Sequence, residues 1–332
     1  MIRKNYGFNG KTIAVTGASG YLGSALVDRL LDSHCFVLRI TRDRNRLRPL
    51  PKKIAGVQDL ESAIDNRALW DRVFREYGTN LVFHFAAQTS AYSANNNLQS
   101  DFYANVMPVI QMLESCRGLV HQPLIIAAGA ATQVGMTRTV PTNETAVDNP
   151  ITIYDIHKLA AERYIKHFTK LGVIKGIVLR LTNVYGPGVE SSSCDRGILN
   201  KVTKAAIKGE PISIFGAGNE VRDYIYISDA VEAFFTANQY ADTLSGQQYL
   251  IGSGVPHSLS EAFRMVAKHV EKTFGKPVPV VHSSWPPHTN QIEYRNFCAD
   301  IKAFKNSTHW APEIDLATGI EKTISAFSSL PN

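Results

Sequence analysis

The sequence holds only four cysteines and they form no pattern: Cys35, Cys116, Cys194 and Cys298 lie far apart, with no C-x-x-C pair. Neither a zinc site nor a disulfide framework is indicated, and a reducing compartment is the simpler reading. No stretch approaches the ~18 uninterrupted apolar residues that a membrane span needs, and the opening MIRKNYGFNGKTIAV lacks the apolar core of a secretory signal. These absences predict a cytoplasmic protein with no membrane partner. There is also no internal repeat, no low-complexity tract, and no basic helix or aromatic-interleaved basic stretch of the kind that reads nucleic acid. His282 and His288, beside Pro286-Pro287, lack the spacing of metal ligands, so no metal is expected.

What is present is the composition of an ordinary folded protein: 332 residues, 44% apolar and 19% charged. Basic residues outnumber acidic ones 35 to 29, and much of the excess lies in Arg39, Arg42, Arg44, Arg46 and Arg48. That favours an anionic ligand, and a phosphorylated small molecule satisfies it with fewer assumptions than nucleic acid does. Strand and helix patterns alternate through the first half, the signature of a parallel sheet with helices on both faces. Strands are predicted near Thr12 to Val15, Phe36 to Thr41, Leu81 to Phe85, Leu124 to Ala128 and Ile177 to Leu181. Helices are predicted near Ser24 to Asp32, Leu69 to Tyr77, Asn105 to Cys116 and Ile153 to Leu171. Beyond Gly186 the regularity breaks at Gly186-Pro187-Gly188, Gly216-Ala217-Gly218 and Gly252-Ser253-Gly254. The predicted fold is α/β: a Rossmann-type doubly wound parallel sheet over residues 1–185, with a returning segment at about 223–252. A smaller α/β carboxy-terminal substrate lobe takes 186–222 and 253–332.

After the first strand comes Thr16-Gly17-Ala18-Ser19-Gly20-Tyr21-Leu22-Gly23 and then an amphipathic helix, the context in which a glycine motif signals a dinucleotide site. Gly17 and Gly20 permit a tight turn and close approach to a pyrophosphate, and Gly23 lets the helix pack on the sheet. The amides and dipole at the helix start favour the negative charge. The spacing G-x-x-G-x-x-G resembles the short-chain dehydrogenase/reductase family, in particular its extended branch of nucleotide-sugar epimerases and dehydratases. The resemblance implies NAD or NADP, held by Gly17, Ser19, Gly20, Tyr21, Leu22 and Gly23. The end of the second strand reports the choice: an acid binds the ribose hydroxyls, whereas an arginine accommodates a 2′-phosphate. Here Thr41 stands at the acid's position and Arg42 follows, an order similar to NADP-dependent members that reduce flavonoid-type ketones. NADP is slightly favoured on that ground, with a merely solvated basic loop as the other reading. Asp59 and Leu60 fall where the family contacts adenine.

Tyr154 and Lys158 stand at i and i+4, on one face of a helix. A phenol with a pKa near ~10 is a poor base at neutral pH, and an adjacent ammonium favours its ionised form. YDIHKLAAER, from Tyr154 to Arg163, resembles the family's Y-x-x-x-K-L-x-x-E segment, which makes Tyr154 the proton-transfer group and Lys158 its partner and a holder of the nicotinamide ribose. His84-Phe85-Ala86-Ala87-Gln88 resembles the loop beneath the nicotinamide, implying cofactor contacts at Ala86, Ala87 and Gln88 and a substrate contact at Thr89. Asn105 matches the branch's helix asparagine. The segment from Arg180 to Gly188 resembles R-x-x-N-V-Y-G-P-G, whose asparagine, Asn183 here, contacts the sugar diphosphate. Arg222-Asp223-Tyr224-Ile225-Tyr226 resembles R-D-F-I-Y, whose arginine holds that diphosphate, as a guanidinium fork suits phosphate oxygens. Ala299-Asp300-Ile301-Lys302 and Trp310-Ala311-Pro312 match the family's carboxy-terminal lobe.

Two positions depart from the pattern. Ala130 stands where the family has a Ser or Thr that hydrogen-bonds the reacting oxygen, and Thr132, two residues along the same expected strand, is the candidate replacement. Ala131 and Thr132 also occupy the places of the dehydratase Asp-Glu pair, which argues against sugar dehydration. Asn290 stands where relatives carry a phosphate-binding arginine, with Arg295 as the candidate substitute. The reading is an NAD(P)-dependent nucleotide-sugar epimerase that transiently oxidises C4. The alternatives are an NADPH-dependent reductase of a 4-keto nucleotide sugar and, because of Ala130, a catalytically weak sensor that binds the same ligands. The resemblance also implies a homodimer through the helices near Asn105 to Cys116 and Ile153 to Leu171, the second carrying an apolar stripe of Ala160, Tyr164 and Phe168.

Overall fold

The computed structural model describes residues 6–51, 55–190 and 197–329. Cys194 and the first five residues lie outside the described residues. The first half runs β1 (Thr12–Thr16), α1 (Tyr21–Leu30), β2 (Phe36–Thr41), β3 (Gly56–Glu61), α2 (Arg67–Asp71), β4 (Leu81–His84), α3 (Ala91–Asn96), α4 (Leu98–Asn105), α5 (Met107–Ser115), β5 (Leu124–Ala130), α6 (Ile153–Lys170) and β6 (Lys175–Leu181). The second runs β7 (Asn183–Tyr185), α7 (Ile198–Ile207), β8 (Ile212–Phe215), β9 (Val221–Tyr226), α8 (Ile227–Gln239), α9 (Ala241–Leu244), β10 (Gln248–Ile251), β11 (Pro256–Ser258), α10 (Leu259–Phe274), β12 (Val280–Ser283), α11 (Lys302–Thr308) and α12 (Leu316–Ser328).

Seven strands form one parallel sheet in the order β10-β6-β5-β4-β1-β2-β3. Parallel neighbours need crossover connections, which the intervening helices supply on both faces. Side chains alternate across the strands accordingly. Ile13, Val15, Val37 and Phe83 pack on the side of α1 and α8, with Leu26 and Phe234. Ala14, Leu38, Val82 and Ile125 pack on the other, with Trp70, Met112 and Ile165. Burying a large apolar side chain of this kind contributes roughly 1.5–3 kcal/mol. The chain leaves β1 toward β2 and β3, then returns to place β4 on the other side of β1. Sheets of this kind bind ligands at such a reversal, beyond the carboxyl ends of the strands, here β1 and β4. A three-stranded sheet β11-β9-β7 and the parallel pair β12-β8 complete the fold.

Two elements differ from the sequence reading. The helix expected near Asn105 to Cys116 is α5, with Pro108 in its first turn, where proline is tolerated, and it is preceded by α4, which had no expected counterpart. β3 has no counterpart among the expected strands, because GVQDLE is an edge strand with a mixed polar face.

Candidate active site

Thr16 ends β1 fully buried, and its hydroxyl accepts the amides of Phe85 and Ala86 at 3.1 Å each, so β1 is pinned to the loop after β4. The glycine turn follows, and its geometry requires glycine. Gly17 has φ +66°, and a Cβ there would lie 2.9 Å from the Ala86 nitrogen; a Cβ at Gly23 would lie 2.2 Å from the Gly17 carbonyl oxygen. α1 starts after Gly20 with no side-chain cap, leaving its first amides facing the crevice end of β1. This side-chain-free cradle fits the pyrophosphate of a dinucleotide. Ser19 Oγ lies 3.1 Å from Thr41 Oγ1, which joins the turn to the end of β2. Arg42 is exposed and has no hydrogen bond or ion pair among the described residues. Tyr21 turns away from the cradle to donate to the Gly186 carbonyl at 2.7 Å, and Leu22 packs against the core.

Asp59 and Leu60 lie near the carboxyl end of β3. In the register of β2 and β3, Asp59 pairs with Arg39 and accepts two hydrogen bonds from its guanidinium at 2.6 and 2.7 Å. The Leu60 side chain is buried in the core on the opposite face. Arg39 takes two of the acceptor sites of the Asp59 carboxylate, and a carboxylate offers about four.

Tyr154, buried at the amino end of α6, packs among Ala91, Ala94 and Ala130 at the carboxyl end of β5. One turn later Lys158 Nζ donates to the Ala128 carbonyl at 2.6 Å. The same end of the sheet thus carries the glycine cradle and the phenol–ammonium pair. Burial, then the Lys158 charge, pushes His84 down to about 3, so this imidazole is neutral. His84, Asn105, Ala128 and Lys158 line a cavity of about 10 Å³, the space of a single water. Asn105 Oδ1 is buried with no hydrogen-bond partner among the described residues.

The expectation for Thr132 needs correction. β5 ends at Ala130 and a 3-10 turn covers Ala131–Val134, so strand alternation does not carry Thr132 to the face of Ala130. Its hydroxyl donates instead to buried Asp155 Oδ1, in the first turn of α6. The Ala130 side chain adjoins Tyr154.

The loop after β4 is tied down from two sides. The Gln88 side chain folds onto the Ser90 backbone and donates to Asp101 at 2.8 Å, so it faces α4, while the Ala86 amide donates to Thr16. Thr89 is half-buried on the same loop. Asp101 and His157, whose ring nitrogen lies 2.6 Å from the Asp101 carboxylate, were missed by the sequence reading. They are 56 positions apart, and His157 stands at one of the unspecified places of the Y-x-x-x-K segment.

At the far end of the crevice, Asn183 donates to the Asp223 carbonyl at 2.9 Å. Arg222 is 4% exposed and donates to the carbonyls of Val221 (3.0 Å), Glu293 (2.7 Å) and Arg295. Arg295, also buried, donates to the Ile292 carbonyl at 2.8 Å. Both guanidiniums stand 4.0 Å from the single carboxylate of Glu293. Burial pulls Arg222 below its ordinary pKa. Guanidiniums at this place suit an anionic group such as a diphosphate. Asn290 caps the turn through its side chain, and its amide donates to the Tyr92 hydroxyl at 3.1 Å. Among the described residues no cluster of metal-ligating side chains occurs, and no helix is long and apolar enough to cross a membrane.

The model of the NAD dependent epimerase/dehydratase family matches residues 13–252. The UDP-glucose 4-epimerase of Mycolicibacterium smegmatis is 29% identical over 94% of this chain and 97% of its own. The structure of Thermotoga maritima UDP-glucose 4-epimerase with UDP-glucose superposes with a TM-score of 0.82 at 26% identity, covering 96% of this chain and 98% of that one. The Thermus thermophilus UDP-glucose 4-epimerase in complex with NAD gives 0.80 at 26% identity, covering 96% and 99%.

Proposed function

The chain belongs to the NAD dependent epimerase/dehydratase family, and from this we propose that it is a nucleotide-sugar 4-epimerase. The observation that carries the reading is the meeting, at one end of the sheet, of the Gly17–Gly23 cradle with Tyr154 and Lys158. A nicotinamide dinucleotide supplies reversible hydride acceptance at C4 when bound. The chain's own part is to bind, orient and move one proton. Gly17, Ser19, Gly20 and the first amides of α1 hold the pyrophosphate, and Ala86 and Ala87 floor the nicotinamide. Lys158 keeps the Tyr154 phenol ready to take the proton of the sugar hydroxyl and to give it back. Asn183, Arg222 and Arg295 receive the nucleotide diphosphate and Thr89 the sugar, in a lobe formed by residues 186–222 and 253–332. The cofactor preference is for NADP over NAD, supported by Arg42, exposed and without an ion pair among the described residues, and by Thr41 in place of a carboxylate. The protein works as a cytoplasmic homodimer.

The test is to incubate the purified chain with UDP-glucose and follow UDP-galactose by proton NMR without added reduced cofactor. Interconversion that Tyr154→Phe abolishes is expected. Arg42 also favours a second reading, a 4-keto nucleotide-sugar reductase; stoichiometric NADPH consumption with such a substrate, and no interconversion, would select it.

A further inference from the structure

Asp101 is 1% exposed, and its carboxylate is fully engaged. Oδ1 accepts from Gln88 Nε2 at 2.8 Å and from Asn105 Nδ2 at 3.0 Å, while Oδ2 meets His157 Nδ1 at 2.6 Å. A carboxylate accepts only, so His157 carries a proton on Nδ1 and donates it. Each partner leads to a different part of the site. Gln88 closes on the Ser90 backbone, and Asn105 also holds the Gln88 carbonyl at 3.0 Å, so α4 fixes the loop carrying Ala86, Ala87 and Thr89. His157 sits on α6 three residues after Tyr154 and one before Lys158. Residues 154, 157 and 158 share a face of that helix, so anchoring one fixes the rotation of the other two.

We infer that Asp101 and His157 are positioning residues that lock the loop after β4 to the helix bearing Tyr154 and Lys158. The pair sets the distance between what the loop binds and the phenol that acts on it. Phe102 stacks edge-on against the imidazole with ring centroids 5.6 Å apart, holding it against the carboxylate. The inference rests on the cofactor and Tyr/Lys roles given above, and it adds a dependence those roles do not contain.

The distinguishing comparison is His157→Leu, which removes the donor, against His157→Asn, whose Nδ2 can occupy the place of Nδ1. Three readouts are needed on each: the melting temperature, the dissociation constant for NAD or NADP by calorimetry, and kcat and KM on UDP-glucose. His157→Leu is expected to lower kcat about tenfold or more at nearly constant KM, since small misplacement of reacting groups is costly. It should also weaken cofactor binding, and His157→Asn should recover most of both. If His157→Leu fails to fold, Asp101→Asn replaces it, because its oxygen still accepts from Gln88 and Asn105 while the contact to His157 loses its charge. A variant that only melts earlier, with wild-type kcat and cofactor affinity per folded molecule, would overturn the inference. Should the wild type turn over no UDP-sugar, the 4-epimerase reading fails separately, and the cofactor-affinity arm still decides the role of the pair.

Discussion

The Thr16 hydroxyl is the donor and His84 Nδ1 the acceptor in the 3.0 Å contact that joins β1 to β4. A hydroxyl has one proton and two lone pairs, and both lone pairs of Thr16 already receive the amides of Phe85 and Ala86. His84 therefore keeps its proton on Nε2 and stays neutral, in agreement with its depression to about 3. Unfolded histidine gains a proton near pH ~6.5. Between that value and about 3 the unfolded state binds more protons, so stability falls as the pH falls through this window. At pH ~5 the contribution lost is roughly 2 kcal/mol. His84→Asn offers an acceptor to Thr16 and has no proton to gain, so its melting temperature should drop less than that of the wild type between neutral pH and mild acid. An equally steep drop would mean that His84 is not buried neutral.

Gly23→Ala should destroy cofactor binding, because the added Cβ would lie 2.2 Å from the Gly17 carbonyl and push α1 off the turn. Overpacking of this kind typically costs ~1–3 kcal/mol of stability. Gly20→Ala places its Cβ 3.1 Å from the same oxygen and should be milder. Calorimetry with NAD and NADP, alongside melting curves, ranks the two; cofactor affinity preserved in Gly23→Ala would contradict the cradle.

The glycine turn and the Tyr154/Lys158 pair were readable in the sequence because each is local: a strand end running into a helix, and one turn of one helix. Long-range register hid the rest. Arg39 and Asp59 neutralise each other only because β2 and β3 align them, and nothing near either residue announces the pairing. Thr132 was misjudged because alternation holds only while a strand lasts, and this one stops at Ala130. Of the apolar stripe on α6, Tyr164 is exposed while Phe168 is buried with the Arg117 guanidinium 4.7 Å above its ring.

Arg42→Asp should weaken NADP far more than NAD, by about tenfold or more, the usual loss for a charge-assisted hydrogen bond turned into repulsion. Thr41 can offer a ribose hydroxyl only a neutral partner, so NAD gains little from the change. Equal effects on the two cofactors would leave the basic loop as solvated surface.

Leu98 and Tyr103 of α4 and Ile156 and Tyr164 of α6 are exposed apolar side chains on helices that pack against each other. If they form the homodimer interface, Tyr164→Glu should yield a monomer by light scattering where the wild type is a dimer. A monomeric wild type at working concentration rejects the dimer outright.

Ala130 and Thr132 give opposite predictions that one pair of variants tests. The Ala130 methyl packs beside Tyr154, the position from which a hydroxyl could share the proton of the reacting oxygen. Assistance of that kind is worth ~10²–10⁴ in rate, so Ala130→Ser should raise kcat, and more so if the serine donates to substrate and phenol together. Thr132 donates to Asp155, whose carboxylate also receives the Thr152 hydroxyl at 2.6 Å while the Thr152 side chain caps α6. Thr132→Val leaves one oxygen of a buried carboxylate without that donor and should cost ~1–3 kcal/mol of stability. It should leave kcat per folded molecule almost unchanged, because the lost bond braces the start of α6 and does not touch the phenol. A tenfold loss of kcat in Thr132→Val without lower stability, together with no gain in Ala130→Ser, would return the proton-sharing role to Thr132 and require its hydroxyl to leave Asp155 during turnover.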